Sequence, residues 1–345
     1  METVWFVIVT VMLAMYVVLD GFDFGVGMVY PFIARTGAER RTVLASIGPV
    51  WNANEVWLIA AGAVLFFAYP KAYAAGFSGF YLALILVLWL LIFRGLAVEL
   101  RHQIDHPLWR QAWDAAFTVS SVLLAVVFGT ALGNLIRGVP LNSEGYFFVP
   151  LWTDFLPGSA PGILDWFTVL LGLSSAVILA FHGANYLAMK TEGFLYQRAV
   201  AAARILGWMS VGYTALTVLA VPMVQPSLAL SFTRHPVVYL APLIGSIALG
   251  YSLYFRIRRR DTAAFLASST FIFLMLVSVM FGMYPYILVS TTDLAFSLTV
   301  FNASTDSYGL TAGIGWFGVG FLLMLAYQIY LHSQFLGKTR SDDVH

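Results

Sequence analysis

Apolar runs long enough to cross a lipid bilayer recur along almost the whole of this chain, and no other feature narrows its possible folds so far. Nine can be placed, at roughly 4–34, 51–69, 76–100, 112–136, 162–189, 200–224, 237–256, 263–289 and 311–336. A helix needs roughly 20 apolar residues to span the hydrocarbon core. Transmembrane strands are about half that length and alternate apolar with polar side chains; these runs do neither. With 60% hydrophobic and only 10% charged residues, the chain also falls far below the charged share of about 25% usual for a soluble domain. The expected fold is all-α: a polytopic membrane protein of nine transmembrane helices, with residues 1–345 forming a single membrane domain.

The basic residues follow the same count. Fourteen fall in the odd-numbered connections and the C-terminal tail, among them Arg35, Arg40, Arg41, Arg101, Arg110, Lys190, Arg198, Arg204, the run Arg256 to Arg260, Lys338 and Arg340. Only Lys71, Arg137 and Arg234 fall in the even-numbered connections, and Arg94 lies within a span. By the positive-inside rule this predicts the N-terminus outside and the C-terminus cytoplasmic. Met1-Glu2 opens the chain without a basic stretch, so the first run reads as a retained span. A net charge of +1 makes no case for nucleic acid. The chain has no cysteine, which removes disulfides, iron–sulfur clusters and thiolate ligation. The connection at 137–161 is rich in proline and glycine, and its aromatics (Tyr146, Phe147, Phe148, Trp152) suit a membrane interface.

Ionisable groups at bilayer depth cost several kcal/mol unless paired or hydrated, so each is a candidate for function. The first run carries Asp20 and Asp23, three apart on one helix face. Two carboxyl groups so close do not both ionise comfortably in a dry site. The second run opens Trp51-Asn52-Ala53-Asn54-Glu55, where Asn52 has the makings of a helix cap and Glu55 of its capping-box partner. Arg94 and Glu99 in the third run are five apart, a poor spacing for a pair, so partners on other helices are expected. Asp114, near the start of the fourth, suits an interface position or a structural ion pair. His182 is the one histidine well inside a run. Without a second at matching depth, it reads as a hydrogen-bonded bundle residue rather than a haem ligand. Phosphate-loop, zinc and nucleophile motifs are absent.

Taken together, several stretches resemble subunit II of the cytochrome bd-type quinol oxidases. They are DGFDFGVG at 20–27, GPVWNANEVWLIAAG at 48–62, AYAAGFSGFYLALILVL at 72–88 with FRG at 93–95, GNLIRGVPLN at 133–142, HGANYLAMKTEG at 182–193, MYPYILVS at 283–290 and SLTVFNAS at 297–304. The resemblance covers nearly the whole chain. It implies two four-helix bundles, 1–136 and 162–289, separated by the outer loop 137–161, and a ninth helix at 311–337. It implies a larger partner, subunit I, that carries two haems b, one haem d and the quinol site, in a prokaryotic cytoplasmic (inner) membrane. The complex oxidises quinol and reduces oxygen to water. This chain would ligate no haem iron or other metal, would stabilise subunit I and would line a proton route. A small accessory subunit, membrane lipid and a structural quinone are further partners that the family makes plausible.

The route carboxylates carried over from the resemblance are Asp23 and Glu99, with Asp20 beside the former. Where the second-span motif often has aspartate, this chain has Asn52, and Glu55 stands one turn along in a position to take over that role. The alternative class is a proton-coupled secondary transporter, which shares long helices and buried carboxylates but often shows internal repeats and broken helices. No clear echo links the two halves here, although Pro31 and Pro285 stand where they would kink their helices.

Overall fold

The computed structural model describes residues 1–158, 161–226, 236–335 and 337–339. Arg234, His235 and Arg340, which entered the reading of basic and histidine residues, lie outside them. Among the described residues, nine helices are long and apolar enough to cross a membrane. They are α1 (Glu2–Ile33), α3 (Trp51–Ala68), α5 (Tyr81–Leu100), α6 (Pro107–Arg137), α7 (Trp166–Lys190), α8 (Gly193–Val224), α9 (Leu240–Ile257), α10 (Asp261–Met283) and α11 (Ser307–Gln334). Two shorter helices, α2 (Gly37–Ile47) and α4 (Pro70–Gly79), join α1 to α3 and α3 to α5.

Local chemistry sets most of the boundaries. Thr36 caps α2 with a full capping box to Glu39, and Asp165 caps α7 with one to Thr168. These side chains satisfy backbone N–H groups that have no partner inside the helix. Pro70 and Pro107 open α4 and α6, where a missing N–H costs nothing. Several expected limits move. The run at 76–100 divides at Phe80 between α4 and α5. The run at 263–289 stops at Met283, because Pro285 cannot continue a helix. Pro285 therefore lies beyond α10 and does not kink it, whereas Pro31 sits inside the last turn of α1. A short antiparallel pair follows, β1 (Tyr286–Leu288) with β2 (Leu298–Thr299), an element that periodicity in an otherwise helical chain did not foretell.

Helix α1 is the axis of the molecule and packs against α3, α6, α7 and α10. It crosses α7 at two glycines. A Cβ on Gly25 would sit 2.6 Å from the Gly183 nitrogen and 2.7 Å from its Cα. The crossing therefore requires hydrogen at both positions, as in other close membrane-helix contacts. Helix α6 spans between α5 and α7, α8 lies on α7, and α9 lies on α10. Helix α11 runs along the rim, and among its described residues only Leu310 and Gln328 are buried. At the end of the bundle away from most basic residues, Arg137 ties α6 to the start of α7. It is ion-paired with Asp165, donates to Gly162 O at 2.9 Å and donates to Asn134 Oδ1 at 2.6 Å. Of the loop aromatics, Tyr146, Phe148 and Trp152 are exposed as expected, but Phe147 is buried against Gly79 and Phe80.

Candidate functional site

Helical spacing puts Tyr16, Asp20 and Asp23 along one stripe of α1, and that stripe faces α3 and α5. Both aspartates are fully buried. Asp20 accepts from Arg94 Nη1 of α5 at 2.6 Å. The other terminal nitrogen of Arg94, Nη2, is ion-paired with Glu55 of α3. The guanidinium also stands over the Phe24 ring, 4.7 Å from its centre, a cation–π contact that further compensates a desolvated charge. Gly95 makes room for the neighbouring packing, since a Cβ there would meet the Trp51 ring at 3.0 Å. Glu55 therefore does not close a capping box with Asn52. The residue preceding α3 is Val50, with no side-chain cap, and Glu55 turns inward because Arg94 offers a full charge in place of a backbone dipole.

Asp23 takes a different partner. Asn54 Nδ2 donates to Asp23 Oδ2 at 2.9 Å, and Gln328 Nε2 of α11 donates to Asn54 Oδ1 at 3.1 Å. The second oxygen of Asp23, Oδ1, is buried and has no hydrogen-bond partner among the described residues. One guanidinium thus contacts two carboxyl groups, with Asp23 standing close by on an amide partner alone. Were all three ionised, two negative charges would stand uncompensated in the interior, at a cost of several kcal/mol each. Asp20, in direct contact with Arg94, is the group best suited to keep its charge. Asp23 is bonded only by a neutral amide, with no cation in contact.

The structure joins Asp20, Asp23, Arg94 and Glu55, but not Asn52 or Glu99. Both of those are exposed on the surface of the chain. Arg94 and Glu99 do not pair with one another, and Arg94 finds its partners on α1 and α3, as their spacing implied. Asp114 is not a solvated interface residue. It accepts from Arg101 Nε at 2.5 Å and Nη2 at 3.2 Å, from Arg40 Nη1 at 2.6 Å, and from the Tyr30 hydroxyl, so four segments meet on one carboxylate. Nearby, Glu39 accepts from the N–H groups of Arg35 and Thr36, at 2.7 and 3.0 Å, and from Arg198 of α8. Partial burial pushes its carboxyl up. The Arg198 guanidinium and the two N–H groups outweigh this and hold it below the ordinary carboxyl range.

His182 is fully buried, with its ring stacked on Phe265 at 4.8 Å. Its Nε2 lies 3.1 Å from Val18 O and its Nδ1 lies 2.7 Å from Ser268 Oγ. A carbonyl only accepts, so Nε2 carries the proton toward Val18 O, while the single Ser268 hydroxyl proton faces both Nδ1 and Phe265 O, the latter 2.8 Å away. Both nitrogens are engaged. Sequence reasoning passed over Asn54, Gln328, Tyr30, Arg40 and Arg101. Gln328 carried a usable signal, as the lone amide within the apolar run LLMLAYQIY. Asn54, Arg40 and Arg101 lay in segments read as a cap or as connections, and Tyr30 lay at the end of the first apolar run.

Against this geometry stand the comparisons with known proteins. The family model described as cytochrome bd terminal oxidase subunit II matches residues 1–335. The chain is 31% identical to cytochrome bd-I ubiquinol oxidase subunit 2 of Escherichia coli K12, over 99% of this chain and 96% of that protein. It is 30% identical to cytochrome bd ubiquinol oxidase subunit 2 of Bacillus subtilis 168, over 90% of this chain and 88% of that protein. A chain in the structure of bd oxidase from Geobacillus thermodenitrificans superposes with a TM-score of 0.75 at 18% identity, covering 97% of this chain and 98% of that one.

Proposed function

The chain belongs to the family of cytochrome bd terminal oxidase subunit II, and from that premise we propose that it serves its complex as a haem-free subunit that holds and passes protons. As a family member it is a multi-pass inner-membrane component of a quinol-oxidising oxidoreductase and pairs with a subunit I. The finer reading is that the complex reduces oxygen to water with haems b and d on subunit I. This chain then stabilises subunit I through its early helices and supplies part of a route for the protons that oxygen reduction consumes. On this reading residues 1–136 and 162–289 act as two four-helix units around the α1–α7 crossing, with the basic end cytoplasmic.

The observation that carries the proposal is the guanidinium of Arg94 bridging Asp20 and Glu55, with the buried Asp23 beside them. Glu55 is the member with an outlet, its side chain being 21% exposed, whereas Arg94 and Asp20 are shut off. Glu99 lies on the open surface and would gather protons from water or from the subunit I interface, with Asn52 as a polar relay. Arg94 is the fixed charge that sets the field of the cluster, with Asp20 as its permanent counter-ion. Asp23 holds a proton on the carboxyl oriented by Asn54. Asn52 cannot ionise, but its amide can order a bridging water.

On this reading the chain ligates no haem iron. His182, the one histidine well inside a span, has both ring nitrogens within hydrogen-bonding distance of other residues. A structural quinone or lipid chain has a suitable place in an apolar cleft of about 510 Å³ between α1, α7, α10 and α11, lined by Met15, Leu19, Phe22, Phe273 and His332 among others.

Glu55→Gln and Glu99→Gln keep shape and hydrogen bonding while removing proton exchange. The assembled complex should retain its haem spectrum and lose oxygen-consumption rate, more so at alkaline pH. Normal turnover and normal charge movement in both variants would return these residues to a structural role and place the proton path wholly in subunit I.

A further inference from the structure

Where α8 meets the turn between α9 and α10, a cleft of about 330 Å³ is lined by Tyr196, Gln197, Val200, Ala201, Arg204 and Arg259. Its charge is one-sided. Neither Arg204 nor Arg259 has a carboxylate within ion-pairing distance among the described residues. The adjacent Asp261 is committed to Arg256, 2.5 Å away. Arg258 stands over the Tyr254 ring at 5.4 Å, and Lys338 over the Tyr196 ring at 5.2 Å, so further positive charge surrounds the opening. Arg259 itself adopts φ +55°, a left-handed conformation that L side chains rarely take. The turn thus places Arg259 on the same cleft as Arg204, and neither is ion-paired among the described residues.

The surroundings of the cleft are those of a membrane interface. Directly along α8 from Arg204, Ile205 and Trp208 are 64% and 65% exposed, and Ile257 at the end of α9 is 68% exposed. An exposed tryptophan beside unpaired arginines at the end of apolar helices marks the headgroup level. Basic pockets between membrane helices at that level bind anionic lipid headgroups, and guanidinium groups match phosphate oxygens bidentately.

We propose that this cleft is a binding site for the phosphate of an anionic membrane phospholipid, with the acyl chains lying along Ile205, Trp208 and Ile257. Arg204 and Arg259 grip the phosphate oxygens. The Gln197 amide and the Tyr196 hydroxyl, which already lies 3.5 Å from Asp261 Oδ1, offer neutral polar contacts to a headgroup. Val200 and Ala201 add apolar lining to the cleft. The site is independent of the carboxylate cluster, so its failure would leave the proton-handling role untouched.

The experiment uses the assembled complex, purified in detergent and stripped of loosely held lipid. Spin-labelled phosphatidylglycerol and phosphatidylcholine are titrated in, each with and without inorganic phosphate. The expected result is a preference for phosphatidylglycerol that falls about fivefold with Arg204→Gln or Arg259→Gln and about 25-fold with both. Arg110→Gln, which removes a basic residue paired with Asp105 elsewhere, should leave it unchanged. On the unmodified complex, the same preference should weaken as salt is raised, which keeps the proposal open to refutation even if the double variant does not assemble. Equal binding of the two lipids, binding indifferent to both substitutions, or insensitivity to salt would overturn it. Displacement of the lipid by millimolar inorganic phosphate would also overturn it and make the cleft a free-phosphate site.

Discussion

Arg94 of α5 donates from Nη1 to Asp20 of α1 across 2.6 Å, between two side chains that are 2% exposed or less. A pair so deeply buried contributes little net stability when intact but costs much when half of it is removed, because the survivor is left charged and dry. Arg94→Gln and Asp20→Asn are each expected to destabilise the chain by about 3–5 kcal/mol. The double variant should recover a good part of that loss. Thermal unfolding of the detergent-solubilised complex reads all three, and additive losses would show that Asp20 and Arg94 do not act as a unit.

The α1–α7 crossing leads to a steric prediction. Gly25→Ala and Gly183→Ala each drive a methyl group into backbone, which cannot yield as a side-chain tip can. Assembly of the complex, measured as the yield of co-purified haem protein, is expected to fall sharply for both. Gly62→Ala, at a position with open space around it, is the control and should assemble normally. Normal yield from Gly25→Ala would mean that the two helices can separate without consequence.

His182 makes two hydrogen bonds and stacks on Phe265. His182→Gln should retain every haem absorption band of the complex while lowering its stability by about 1–3 kcal/mol, the cost of leaving buried partners unsatisfied. Selective disappearance of one haem from an otherwise intact complex would refute the structural role assigned to this ring.

Glu39 links α2 to α8 through Arg198, and its folded-state carboxyl lies below the ordinary value of 4.5. A depressed folded value means that the contribution is fully present above pH 4.5 and is lost as pH falls through the folded value. The melting-temperature gap between the wild type and Glu39→Gln should therefore be widest near neutral pH and close in acid. A gap that stays constant from pH 7 to pH 3 would show that the Glu39 charge does not contribute.

Span number and helical class were legible in the residues themselves, because lipid cannot satisfy a backbone polar group and so leaves only helices for apolar runs of this length. The aspartates of α1 and the arginine of α5 also announced themselves, since charge at that depth is too costly to be incidental. Which groups would meet was a matter for the tertiary structure. Asn52 and Glu55 follow a capping pattern, yet Glu55 is drawn to Arg94, because an ion contact in the interior outweighs a helix-end hydrogen bond. Glu99, five residues from Arg94 on the same helix, is left on the surface by the helical turn that buries its neighbour. The residues left Asp114 open as an interface position or an ion-pair partner, and only the fold brought Tyr30, Arg40 and Arg101 to it from three other segments. Sequence periodicity records which face of a helix is apolar, but the partner of a polar group is chosen by helix crossings, and the closest of these is set by Gly25 against Gly183.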